Sequence, residues 1–141
     1  MKKIIQTTAA SLVLFILSMW GCTLDTNSDN LDPRDDITGQ WTCNDTPARS
    51  PLLTYPVIIV KDTLSDYDVY LENFAFIGFD EKPPYGTLSG NVITIPTQQI
   101  CNDNSWTVSG TGTIVNDNRI DWEYQIKVGG DKNSYKAVFT R

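Results

Sequence analysis

A chain of 141 residues, 40% hydrophobic and 11% aromatic, suits one compact domain and leaves no room for two of ordinary size. Its 17 Asp and Glu outweigh 11 Lys and Arg to give a formal charge of −6, so there is no basic surface for a phosphate backbone and nucleic acid is not an expected partner. Histidine is absent, which removes Ser-His-Asp and Cys-His nucleophile activation, His-containing zinc sites and the usual pH switch.

The chain begins with Lys2 and Lys3, followed by an almost uncharged run from Ile4 to Trp20 with an apolar centre at Leu12–Leu17. A positive start followed by an apolar run and small residues is an export signal. Its close, Ser18-Met19-Trp20-Gly21-Cys22, resembles the lipobox of bacterial lipoproteins, in which a small residue precedes the cysteine that is lipidated and becomes the new N-terminus. The resemblance implies a signal over residues 1–21, an acyl and diacylglycerol lipid on Cys22, and residence at the envelope of a Gram-negative-type cell. Thr23 stands where that family would carry Asp for inner-membrane retention, so the outer membrane is the expected location. Two or three acyl chains hold a protein firmly where one does so only marginally. Residues 22–36, with the polar and acidic run TLDTNSDNLDPRDD, then read as the lipidated cysteine and a flexible tether. Asp25, Asn27, Asp29 and Asp36 fall near calcium-loop spacing, but Asn30 occupies the position that needs glycine, and no metal site is assigned.

From Ile37 the pattern changes to short alternating runs rich in Val, Ile, Thr and aromatics, broken by Gly, Pro, Asn and Asp. The fold class is all-β, with strands expected near 38–43, 55–61, 67–75, 84–89, 91–96, 105–115, 119–128 and 134–140. The clearest is 119–128, where Ile120, Trp122, Tyr124, Ile126 and Val128 share one face and Asp121, Glu123, Gln125 and Lys127 the other. Gly110 and Gly112 lie on the inward face of the preceding strand and allow it to bend or another chain segment to come close. Turn residues at 89–91, 116–118 and 129–131 tolerate the left-handed region and join antiparallel neighbours. Sequential connections favour a closed or nearly closed up-and-down barrel over the alternative, a two-sheet sandwich, because closure removes both edges.

The segment Asp36-Ile37-Thr38-Gly39-Gln40-Trp41 resembles the opening G-x-W strand of lipocalin-like (calycin-type) barrels, and Tyr135–Arg141 is similar to the last strand of small lipocalin-like lipoproteins. The resemblance implies that Gly39, Trp41 and Arg141 close the barrel base, with Arg141 over the Trp41 ring in a cation–π contact of about 0.5–2 kcal/mol. It also implies a ligand-carrying role.

Cys43 and Cys101 remain once Cys22 is assigned to lipid, and an even pair in an oxidising compartment reads as a disulfide worth roughly 4 kcal/mol. No CxxC spacing marks either as a reactive thiol. Catalysis is left only paired carboxylates, Asp66 with Asp68 and Asp121 with Glu123, and the second pair sits on the outward face of its strand in water; the chain is not expected to be an enzyme and no catalytic residue is assigned. The inward list is Trp41, Trp106, Trp122, Tyr124 and Phe139, with Ile59, Ile93 and Ile95 beside them. An eight-stranded barrel is just wide enough to be filled by such side chains or to hold one small ligand, here a flat apolar or sugar-like one. Two function classes follow: a lipid-anchored barrel that binds a small hydrophobic or carbohydrate ligand, or a structural module that docks an envelope protein with its core filled. A smaller third reading makes the 46–54 loop, with Leu52-Leu53 at its tip, the arm of an inhibitor-like barrel.

Overall fold

The computed structural model describes residues 31–47 and 51–141, in which eight antiparallel strands pair in chain order and the last closes on the first. They are β1 (Gly39–Pro47), β2 (Leu53–Lys61), β3 (Asp68–Glu72), β4 (Tyr85–Ser89), β5 (Val92–Ile100), β6 (Trp106–Asn116), β7 (Arg119–Val128) and β8 (Asp131–Thr140). Closure by β1 against β8, with Cys43 opposite Phe139 and Asp45 opposite Ala137, selects the barrel over the sandwich. The alternation read in the sequence is the alternation of burial. In β7, Ile120, Trp122, Tyr124 and Ile126 are buried, while Arg119 and Glu123 face water.

Two glycines bring the wall close to the core aromatics. A Cβ on Gly112 would sit 2.7 Å from the Trp122 indole opposite it, and one on Gly110 would sit 2.5 Å from Tyr124 Cβ. The missing side chains are therefore the space into which the two large neighbours pack.

Three local expectations need correction. The strand expected over 67–75 stops at Glu72, because Asn73 takes a left-handed conformation (φ 59°) and starts a short turn, Phe74–Phe76. The turn after β6 uses no left-handed residue at 116–118; the Asn116 side-chain carbonyl accepts the Asn118 N–H at 2.9 Å and closes it. The tether expected through residue 36 ends earlier, since Pro33–Ile37 forms a turn and Leu31–Arg141 is one compact unit. Arg34 explains this. Its guanidinium is buried, donates to the carbonyls of Asp62, Ser65 and Asp68, and forms an ion pair with Asp32 at 2.7 Å. The segment satisfies the carbonyls at one barrel end and cannot be free of it. Cys22 and the signal over 1–21 lie outside the described residues, as does part of the 46–54 loop, which is also shortened because β1 and β2 run into it from both sides.

Candidate functional site

The two barrel ends are built differently. At the end where β1 begins, Gly39 has a φ of 108°, open only to glycine, and turns the chain into the strand. Trp41 is buried, its indole N–H donating to the Ile37 carbonyl at 2.8 Å. The Arg141 guanidinium lies 4.3 Å from the Trp41 ring centroid and donates to the carbonyls of Asp117 at 2.7 Å and Thr38 at 3.2 Å. Gly39, Trp41 and Arg141 thus meet at this end, and Arg34, which the sequence reading missed, seals the carbonyls beside them. The signal for Arg34 was available: it is a lone cation in an acidic run, three residues before Ile37, where the apolar alternation of the domain begins.

At the opposite end the wall is low, because β3 and β4 have only five residues each, and the segment between them folds over the opening. Asn73 anchors it, donating to the Pro56 carbonyl at 2.7 Å and accepting the Gly78 N–H at 2.9 Å. Farther along, the segment is clasped to the β5–β6 loop, where the Lys82 carbonyl accepts the Cys101 N–H at 3.0 Å and Glu81 accepts the Asn102 N–H at 2.7 Å. Asn73, Ala75 and Phe76 all have φ near +60°. Asn tolerates that region, but Ala75 and Phe76 do not, and each costs roughly 1–3 kcal/mol. The strain aims Phe74 down the barrel axis. Its ring is 1% exposed and meets Trp122 at 5.3 Å, Tyr124 at 4.7 Å and Phe139 at 6.1 Å, all edge-on. Phe76 stays outside at 58% exposure, tilted against Tyr55, and Leu52 and Leu53 of the neighbouring rim are also exposed.

Below this turn lies a buried carboxyl. Asp45 is 4% exposed, and its Oδ2 accepts the hydroxyls of Tyr124 at 2.5 Å and Tyr55 at 3.3 Å. Burial pushes its pKa above the ordinary carboxylate range against the pull of the two tyrosine hydroxyls. Burial likewise pushes both tyrosines far up, so they remain donors. Among the described residues, two buried side-chain polar atoms have no hydrogen-bond partner: Asp45 Oδ1, an acceptor, and Trp122 Nε1, a donor. Trp122 and Tyr124 both pack against the Phe74 ring. Tyr124 is an expected lining residue, whereas Asp45 and Phe74 are not among those expected from the sequence; Asp45 sits on the inward face of β1 in phase with Trp41 and Cys43, which is the signal that would have found it.

The other expected residues are dispersed. Trp122, Tyr124 and Phe139 line the axis, whereas Trp106 is only half-buried against the edge of the core. Cys43 and Cys101 are both buried and both free, which corrects the disulfide. Cys43 points into the barrel from β1, and Cys101 follows β5, which has three strands between it and β1 in either direction around the wall; a bridge needs Cα atoms within about 7 Å. Burial pushes the Cys43 thiol up to about 12, and burial followed by the charges of Glu81 and Asp103 raises that of Cys101, so both thiols stay protonated at neutral pH. Asp121 and Glu123 are paired with Arg119 and Lys136, each at 2.7 Å on the outside.

A separate concavity of about 840 Å³ spans β5 to β8. Thr94, Thr111, Glu123, Gln125 and Lys136 alternate outward along their strands, which puts this trough on the outer wall rather than on the barrel axis.

No family model matches the chain, and no curated protein matches it. Solved structures do. The redesigned β-barrel b11L5F_LGL is similar with a TM-score of 0.58 at 9% identity, covering 76% of this chain and 92% of its own. The protein EF1p2_mFAP2b bound to DFHBI has a TM-score of 0.55 at 13% identity, over 76% of this chain and 94% of that one. The redesigned barrel mFAP1, bound to DFHBI, has the same TM-score and identity over 76% and 96%. At these identities the likeness is one of fold: an eight-stranded antiparallel barrel.

Proposed function

We propose that this protein is a non-enzymatic binding barrel, lipid-anchored through Cys22 at the outer membrane of a Gram-negative-type cell, that takes a small apolar or glycan ligand at its Phe74 end. The observation that carries the reading is Asp45, a carboxyl buried among Tyr55 and Tyr124 with one oxygen unpartnered, at an end closed by a strained turn. Interior polar atoms are normally paired, and groups left open cluster where something else is meant to bind. Two barrels of similar fold hold the small ligand DFHBI, which supports the reading by analogy. The Trp41–Arg141 pair supports a lipocalin-like kinship in the same way, and the export signal with Gly21-Cys22 supports the anchor.

Titration of the Leu31–Arg141 unit, which contains all eight strands, with apolar fluorescent probes and with glycans tests the reading through indole emission. Saturable quenching by at least one class is expected. Its absence in a folded sample removes the ligand.

A second reading has one observation in its favour. Phe74, Trp41, Trp122 and Phe139 fill the axis, as a structural module with a closed core would require, and an envelope protein would then dock on the outside. Envelope proteins cross-linked equally to the wild type and to a variant with a blocked Phe74 end would favour it.

A further inference from the structure

We propose that the slot filled by the Phe74 ring is a binding site for a single phenol-type ring, and that the Asn73–Phe76 turn gives up its own ring to the ligand. The proposal rests on the ligand reading above and names the chemical class for it. Four observations converge. Phe74 belongs to no strand; it is inserted from outside by a three-residue turn, so removing it leaves the barrel wall intact. Ala75 and Phe76 hold backbone conformations that bulky residues avoid, and lifting the turn relieves them, which offsets part of the cost of withdrawing the ring. The slot is already shaped for one six-membered ring, with the edges and faces of Trp122, Tyr124 and Phe139 around it. Finally, of the two unpartnered polar atoms one is the N–H of Trp122, which lines the slot, and the other belongs to Asp45, which accepts the hydroxyl of the slot-lining Tyr124.

A phenol hydroxyl can donate to Asp45 Oδ1, the one contact that anisole, whose ether oxygen only accepts, cannot make. An ammonium ligand fits less well. Burial already holds Asp45 toward its neutral form, and a buried cation would need that charge back.

Calorimetry on the full chain tests this with phenol, anisole and benzene as probes. In Phe74→Ala the slot is empty, and phenol is expected to bind at least about tenfold more tightly than anisole, the difference one hydrogen bond makes. Wild type is expected to bind phenol more weakly than the variant, because the turn competes. Phe74→Leu, a smaller change, replaces the alanine variant if that one does not fold, with the same order of probes expected. A carboxyl carbon signal from Asp45 that moves with phenol and stays with benzene locates the contact. Equal binding of the three probes, or none in a folded variant, overturns the proposal. If apolar probes still quench the indoles in that case, the ligand reading survives and only its phenol site falls.

Discussion

The two ends of this barrel close the same opening with opposite chemistry. At the Trp41 end the seal is polar and paired: Arg34 and Arg141 donate to backbone carbonyls, Arg34 also to the Asp32 carboxylate, and Gly39 supplies a backbone angle that costs glycine little. At the Phe74 end the seal is apolar and strained, an aromatic ring pushed in by left-handed Ala75 and Phe76, over an unpartnered carboxyl oxygen. A seal whose donors are satisfied and whose backbone is relaxed is permanent. One held by strain above an open polar atom is suited to exchange.

Substitutions can break or sharpen that contrast. The largest effect is expected from Phe74→Ala, which removes a fully buried ring and costs about 3–5 kcal/mol of stability in urea unfolding. If the cost falls well below that range, the ring is not packed as described. Gly112→Ala comes next, since its Cβ meets the Trp122 ring at 2.7 Å; overpacking of this kind costs about 1–3 kcal/mol. At the polar seal, Arg141→Ala removes the contact over Trp41 and is expected to lower stability by about 0.5–1 kcal/mol in thermal unfolding, without altering probe binding at the other end.

Asp45→Asn sharpens the contrast through pH. The folded-state pKa of Asp45 lies above its ordinary value of 3.8, so the native state holds the proton more tightly than the unfolded chain does. Its stabilisation is therefore present below pH 3.8 and is lost as pH rises through the folded value. The stability of the wild type relative to the asparagine variant should fall over that interval and level off above it; a difference flat with pH would show Asp45 ionised at no cost. The smallest effect is expected for Leu52→Ser with Leu53→Ser. Both side chains are exposed at the rim, so stability should change by about 0.5 kcal/mol or less.

Much of the fold was legible because burial on one face of a strand imposes a period of two, and β7 shows it without interruption from Ile120 to Ile126. The Trp41–Arg141 contact was readable from the ends of the domain, given the G-x-W resemblance. The carboxyl site was not. Tyr124 and Asp45 are 79 positions apart and are joined only by the barrel's closure, and an inward Asp breaks the hydrophobic pattern on which the reading depends. The Phe74 turn was hidden for a related reason. Phe74, Ala75 and Phe76 continue the composition of a strand, and only the left-handed Asn73, clamped by Pro56 and Gly78, turns them off the sheet. Arg34 was lost to composition, because one cation among many aspartates looks solvated until the carbonyls of the 62–68 segment are placed around it.

The central claim, that one end is sealed and the other receives a ligand, is tested most directly by mapping amide shifts of the Leu31–Arg141 unit as phenol is added. The account predicts saturable shifts at Asp45, Tyr55, Asn73–Ile77 and Tyr124, with Gly39, Trp41 and Arg141 unmoved. Shifts confined to the Trp41 end or to the outer trough around Thr111 and Glu123, or no shifts at all, would contradict it.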